Sequence, residues 1–205
     1  MKRYLIVGSS GFVGSNILSI LPSNIDILII TSNKKIVSEK IKKKKFSKYL
    51  IKDYAFITAK NKKIIQEMDV IINCTGAYPK KNNTKKLIFL NYKFPKLLFD
   101  LSLNKKLKHF ININTLLKNK KSIYVKYKHK LSDYFKKNLG NTDVTDLYVA
   151  HLYGDIENKK EFIYQMIIKI LKKEKTLNLT KGQQKRDFIH IKDFKRFFLE
   201  ILKKK

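Results

Sequence analysis

Short apolar runs alternate along the chain with segments whose apolar residues recur every three or four positions. Tyr4-Leu5-Ile6-Val7 reads as a buried strand stopped by Gly8. Phe12, Val13, Ile17, Ile20 and Leu21 then share one helical face, and Pro22 ends the run. A second apolar strand spans 25–30, and a weak third lies near 49–51 within a Lys-rich stretch that shows no clear period. Val70-Ile71-Ile72 is a further buried strand that runs into Asn73-Cys74-Thr75-Gly76. Leu87, Leu90, Asn91, Phe94, Leu97, Leu98 and Leu101 repeat at helical spacing. Pro95 among them predicts a kink, or a helix that restarts with Pro95 in its first turn. Strands over 110–113 and 146–150 flank a helix over 122–137. Beyond Gly154 follow a helix over 162–171, a segment over 177–191 and a last helix ending in three lysines. Strands alternating with helices predict parallel βαβ units and an α/β fold, a Rossmann-like doubly wound parallel sheet. No repeat or linker divides the chain: residues 1–150 read as one domain, with 151–205 packed on it.

Composition adds one anomaly. Lys and Arg number 46 against 16 Asp and Glu, a formal charge of +30, beside 43% hydrophobic and 12% aromatic residues. That apolar fraction is ample for a core and excludes a disordered chain. Only Arg3, Arg186 and Arg196 are arginine, so the charge is almost all lysine, spread over nearly every segment. Nucleic-acid readers favour Arg forks interleaved with aromatics. A drift toward Lys on solvent-facing positions is the simpler reading, with no specific nucleic-acid partner, although such a charge attracts polyanions at low salt. The single cysteine, Cys74, cannot pair internally, and no Cys/His spacing resembles a metal site. The apolar run after Met1 is too short for a signal peptide, and no run reaches the ~18 residues of a membrane span. The expected location is the cytoplasm, away from the membrane.

Candidate chemistry begins between the first strand and the first helix, at Gly8-Ser9-Ser10-Gly11-Phe12-Val13-Gly14. Glycines there let the backbone turn sharply and approach a pyrophosphate, whose charge then sits on free N–H groups at the helix N-terminus. Gly8, Gly11, Phe12, Val13 and Gly14 are therefore candidate cofactor residues. At the end of the second strand an NAD site usually presents Asp or Glu to the ribose. This chain has Thr31-Ser32-Asn33-Lys34-Lys35 instead, and Ser32, Asn33 and Lys34 suit a 2′-phosphate. NADP is expected over NAD.

The Gly-x-x-Gly-x-x-Gly spacing resembles the extended short-chain dehydrogenase/reductase family, the NAD-dependent epimerase/dehydratase group acting on nucleotide sugars. Further stretches resemble it in the same order: Asp69 to Tyr78, the fourth strand and the loop under the cofactor; Asn91 to Leu98, a helix; Phe110 to Thr115, the strand ending in the catalytic Ser/Thr; Tyr124-Val-Lys-Tyr-Lys128, the Tyr-x-x-x-Lys pair; and Tyr153-Gly154 with Leu179 to His190 on the substrate side. The resemblance implies Thr115, Tyr124 and Lys128 as catalytic residues. It implies that Tyr124, Lys128 and the loop Cys74, Thr75 and Gly76 also touch the cofactor, and that Tyr78, Thr115, His151 and Arg186 contact the substrate, Arg186 at its diphosphate. Tyr124 and Lys128 are i,i+4 on one helix, and an ammonium beside a phenol is expected to lower its pKa. The short spacing from Thr115 to Tyr124 is similar to the CDP-abequose/paratose synthase type, nucleotide-sugar 4-ketoreductases, and no acid lies in 115–118 to serve the dehydratase role the family places beside its Thr.

The expected function is therefore NAD(P)-dependent reduction of a 4-keto-6-deoxy sugar on a nucleotide, for surface polysaccharide, with Tyr124 as proton donor. The alternatives are a nucleotide-sugar 4-epimerase and a catalytically inactive NADP-binding scaffold. On this reading 1–150 is the NAD(P)-binding domain and 151–205 a partial substrate-binding region. The family normally continues past the position corresponding to residue 205, so the substrate lobe is expected to be short and truncated. The resemblance also implies a homodimer packed through helices at 85–103 and 121–138.

Overall fold

A computed structural model describes the chain apart from residues 43, 80–81, 120, 141, 155–161, 177–178, 180, 182, 184 and 204–205. It divides into two compact units, Met1–Tyr148 and Val149–Lys204. In the first, β1 (Arg3–Val7), α1 (Phe12–Ile20), β2 (Asp26–Ile30), α2 (Lys34–Ile41), β3 (Lys48–Lys52), α3 (Lys62–Gln66) and β4 (Val70–Asn73) follow in turn. After them come α4 (Thr84–Ile88), a π-helical turn (Phe89–Lys93), α5 (Phe94–Ser102), β5 (His109–Thr115), α6 (Ile123–Asn138) and β6 (Asp143–Val149).

The six strands stand in the order β3-β2-β1-β4-β5-β6. Pairing runs parallel from β3 through β5, with Val7 opposite both Ile30 and Asn73, and Asn73 opposite Asn112. This is a Rossmann-like doubly wound sheet. Its order reverses between β1 and β4, and in such sheets ligands bind in the crevice outside the strand ends at that switch point.

The alternation of side chains decides which helices cover which face. Leu5 and Val7, Leu28 and Ile30, Ile71 and Phe110 point to one side. There they join Ile65 of α3, Phe94, Leu98 and Phe99 of α5, and Leu131 and Phe135 of α6 in one buried cluster. The intervening residues Tyr4, Ile6, Ile27 and Ile29 are equally buried, and α1 and α2 contribute buried Ile17, Leu18, Val37 and Ile41. Both faces are dry, which is why the strands read as continuous apolar runs.

Two expectations resolve here. Pro95 restarts a helix, occupying the first turn of α5 directly after the π-helical turn. A proline at 95 has no N–H for the carbonyl of Asn91 four residues back, so the α-helical ladder fails there and the chain takes one wider turn. The strand expected at 146–150 starts earlier, at Asp143. Its first six residues are half-buried or exposed, so they lack the apolar run that marks the inner strands.

In the second unit β7 (His151–Tyr153) pairs in parallel with β8 (Phe188–His190). Its helices are α7 (Phe162–Leu171) and α8 (Ile191–Lys203), the latter burying Ile191, Phe194 and Phe198 on one side. Among the described residues, no helix is long and apolar enough to cross a membrane.

The Phe99 ring meets Phe110 at 5.1 Å and Phe135 at 4.9 Å, and the side chain is fully buried. Phe99→Ala should therefore cost about 3–5 kcal/mol, read as a lower urea midpoint at unchanged slope.

Candidate active site

Gly8 ends β1 with φ +80°, a conformation that disfavours any side chain, and a Cβ there would stand 2.8 Å from the carbonyl carbon and oxygen of Cys74. Gly14, one turn into α1, would bring a Cβ to 2.3 Å from the Gly8 carbonyl oxygen. Both glycines are required by the protein's own packing. Gly11 is different: it is exposed, with φ −80°, and a Cβ would meet only the Gly8 oxygen at 3.4 Å. Packing does not demand a glycine at 11. Gly11 also caps α1, without any side-chain hydrogen bond to the helix N-terminus. The first N–H groups of α1, at Phe12, Val13 and Gly14, therefore face the end of the sheet beside a residue that leaves room for a close approach. Deep in the same loop the Ser9 hydroxyl is buried with no hydrogen-bond partner among the described residues.

Beside this loop the end of β2 supplies polar groups. Ser32 Oγ lies 3.4 Å from Ser10 Oγ, joining the two strand ends. Asn33 is the N-cap of α2, its Oδ1 accepting the Ile36 N–H at 3.1 Å. Lys34 pairs with Asp53 at 3.3 Å, both more than half exposed, a contact of little energetic worth. The sequence alone does not separate the capping role of Asn33 from a ligand role, since both use the same residue type.

On the other side of the switch point, the loop after β4 is clamped. Asn91, buried in the π-helical turn, accepts from the Ala77 N–H at 3.3 Å and donates to the Ala77 carbonyl at 2.8 Å. Thr75 Oγ1 lies 2.7 Å from Asn73 Oδ1 and 3.0 Å from the Leu90 carbonyl. Gly76 lies against this clamp, 3.5 Å from Asn91 Oδ1 and 3.8 Å from Lys128 Nζ as measured from its would-be Cβ. Burial pushes the Cys74 thiol up to about 12, leaving it protonated and inert.

β5 and α6 bring the remaining groups together. Thr115 closes β5, buried, with Oγ1 accepting the Leu117 N–H at 3.3 Å. Tyr124, buried in the first turn of α6, is hydrogen-bonded to Thr115 and to Tyr78, and its ring lies 4.8 Å from that of Tyr78. One turn on, Lys128 is buried and donates to the carbonyls of Thr75 at 2.9 Å and Ile113 at 2.7 Å.

The electrostatics correct the expectation drawn from spacing. Tyr124 is shifted upward from the ordinary phenol value, first by burial and then by Tyr78, while its bond to Thr115 pulls only weakly the other way. Lys128 does not lower it. The ammonium directs two of its three donors to backbone carbonyls, and burial lowers its own pKa to about 8. The shared helical face predicted from i,i+4 spacing is present. What spacing leaves open is where the long lysine stem ends.

A group that sequence reasoning passes over lies under Lys128. Asn112 and Asn114 alternate on β5 and both donate to Asp146 on β6, at 2.6 Å and 2.9 Å. Two amides at i,i+2 in an otherwise apolar strand are the signal that could have found it. In the second unit, His151 on β7 lies 5.6 Å from the Phe188 ring, with Nε2 buried and unpartnered among the described residues. Arg186 is exposed just before β8.

Comparison with known proteins agrees with this architecture. The chain matches the NAD dependent epimerase/dehydratase family over residues 4–124 and 118–205. It is 26% identical over 216 residues to CDP-abequose synthase of Salmonella typhimurium, covering 98% of this chain and 71% of that protein. Its fold is similar to UDP-glucuronic acid 4-epimerase from Bacillus cereus, solved with UDP-glucuronic acid and NAD, with TM-score 0.76, 19% identity, and coverage of 98% of this chain and 73% of that one. It is also similar to UDP-N-acetylglucosamine 4-epimerase from Methanobrevibacter ruminantium M1, solved with UDP-N-acetylmuramic acid, with TM-score 0.77, 20% identity, and coverage of 95% and 71%.

Gly14 and Gly11 should separate on substitution. Gly14→Ala should cost more than about 2 kcal/mol, because backbone stands in the way. Gly11→Ala should stay within about 1 kcal/mol of the parent. Thermal unfolding of the two variants side by side checks this.

Proposed function

We infer the reaction from one premise: the chain belongs to the NAD dependent epimerase/dehydratase family. It is an NAD(P)-dependent enzyme of the nucleotide-sugar epimerase, dehydratase and reductase type. Within that range we propose reduction of a 4-keto-6-deoxy sugar carried on a nucleotide. The observation that supports it is Tyr124: buried, hydrogen-bonded to Thr115 and held as the neutral phenol. A neutral phenol can give a proton to a carbonyl oxygen, whereas a 4-epimerase must begin by taking a proton from a hydroxyl. The likeness to CDP-abequose synthase agrees with reduction.

A reduced nicotinamide cofactor, when bound, would supply the hydride that the C4 carbonyl carbon needs. Thr115 hydrogen-bonds the carbonyl oxygen, and Tyr124 gives its proton to that oxygen as the C–O double bond becomes a hydroxyl. Solvent then restores the Tyr124 proton. Lys128 would hold the cofactor's ribose with the N–H that its two carbonyl bonds leave over, aided by a charge retained below about pH 8. Gly8, Gly11, Phe12, Val13 and Gly14 would hold its pyrophosphate at the N-terminus of α1. Cys74, Thr75 and Gly76 floor the site. Tyr78 contacts the substrate beside Thr115, and the family resemblance assigns substrate contacts to His151 and Arg186 of the second unit, Arg186 at the diphosphate. We propose NADP over NAD: residues 31–35 carry no acid, and Ser32, Asn33 and Lys34 offer donors to a 2′-phosphate. The family resemblance supports a cytoplasmic setting in polysaccharide synthesis. The half-exposed Phe89, Leu97 and Ile123 on the α4–α5 and α6 faces support a homodimer.

Titration with NADPH and NADH at physiological salt tests the reading. NADPH should bind more tightly, Gly11→Asp should abolish binding, and Tyr124→Phe should retain it while losing about a hundredfold or more in turnover of a 4-keto nucleotide sugar. Binding of neither cofactor would overturn it. Intact binding with turnover unaffected by Tyr124→Phe would remove Tyr124 as donor.

Affinity for NADPH should also fall as pH rises through about 8. Lys128 is charged below that value and neutral above it, while Tyr124 stays protonated across the window. Loss of a charge-assisted bond should weaken binding by about tenfold, read as dissociation constants on either side of the transition.

A further inference from the structure

We propose that Asp146 is a positioning residue for Lys128: its carboxylate, locked between β5 and α6, keeps the Lys128 ammonium charged and seated on the Thr75 and Ile113 carbonyls. The functional weight of this inference rests on the role proposed above for Lys128. Its geometry does not.

Donors converge on Asp146 from two elements. Asn112 Nδ2 reaches Oδ1 at 2.6 Å, Asn114 Nδ2 reaches Oδ2 at 2.9 Å and Oδ1 at 3.1 Å, and the Ser132 hydroxyl donates to Oδ2. Asn112 and Asn114 bracket Ile113, whose carbonyl holds Lys128, and Ser132 lies one turn along α6 from Lys128. Ser132 Oγ in turn takes the Asn114 amide at 2.6 Å and the Tyr148 hydroxyl at 2.7 Å. Asn112 Oδ1 takes the Asn73 amide at 2.6 Å, which ties the network to β4. Asn73, Asn112, Asn114 and Ser132 are all buried.

Among the described residues every bond at the carboxyl is accepted and none is donated, so the pocket is built for a carboxylate. Among the described residues, Asp146 from β6 and Cys74 after β4 are the titratable groups that raise the Lys128 pKa against burial, and Cys74 is protonated. Asp146 is thus the standing negative charge that opposes desolvation of the ammonium. A polar network with a purely structural role would serve as well with any acceptor at 146. This one adds charge where a buried cation needs it.

Lysine labelled with ¹³C at Cε, with Lys128 assigned by its loss in Lys128→Arg, gives the direct test. The Lys128 midpoint should lie near 8 in the parent and drop by about one pH unit or more in Asp146→Asn. The exposed α6 control Asp133→Asn should leave it unchanged. Because an amide at 146 faces donors, Asp146→Asn can fail to fold, so Asp146→Ser, which removes the charge but can still accept from those donors, is measured as well and should lower the Lys128 midpoint in the same direction. An unchanged Lys128 midpoint in whichever of the two variants folds would overturn the proposal.

NADPH titration separates this inference from the functional reading. Asp146→Asn should weaken binding in the parent and not in the Lys128→Met background. Failure of the parent to bind NADPH, with the Lys128 midpoint still dropping when the charge at 146 is removed, would defeat the cofactor reading and leave the positioning of Lys128 standing.

Discussion

The close approach of the β1 and β4 ends is the constraint on which the rest of the site depends. Gly8 must turn with positive φ against the Cys74 backbone, and Gly14 must lie on the Gly8 carbonyl, because a Cβ at either place would collide with main chain. That packing draws the N-terminus of α1 over the point where the strand order reverses. It also holds the loop after β4 where Asn91 clamps it and where Lys128 meets the Thr75 carbonyl. Gly11, free of any such packing demand, sits at the mouth of this arrangement. The contrast between glycines that the fold needs and one that it does not gives the loop its reading as a pyrophosphate cradle.

Burial then sets the chemistry. Tyr124 and Lys128 are both removed from water, and desolvation drives each toward its neutral form, the phenol upward and the ammonium downward. For the reduction proposed above these directions are useful in different ways. A protonated tyrosine is ready to donate. A buried lysine needs a partner to remain a cation at neutral pH, and the Asp146 network lies beneath it on β5, β6 and α6.

Much of the fold is legible in the sequence because its signals are redundant. Val7 to Gly14 is readable as strand, turn and helix at once, and buried strands such as Val70-Ile71-Ile72 declare themselves as apolar runs. The edges are harder. α2 starts inside a run of lysines with no period, and its Asn33 cap looks the same on paper as a ligand residue. β6 is half-exposed, so Asp143 to Thr145 carry no apolar signature. At the site, Tyr124 and Lys128 follow one another along α6 as i,i+4 spacing predicts, and Tyr124 hydrogen-bonds Thr115 at the end of β5, a residue singled out by the family resemblance. The direction of the Tyr124 shift is not readable, because it depends on where Lys128 Nζ ends and on how much water Tyr124 loses. Asn112 and Asn114 stand in plain view on an apolar strand, but their meaning depends on Asp146, which lies over thirty positions away and becomes their partner only through sheet order.

The most direct test of the account is hydride transfer followed by isotope. NADPH deuterated at the transferring position of the nicotinamide, incubated with the protein and a nucleotide-linked 4-keto-6-deoxy sugar, should yield a product alcohol with deuterium on C4 and a matching amount of oxidised cofactor. Bound NADPH that is never oxidised, or a product carrying no deuterium at C4, would contradict it.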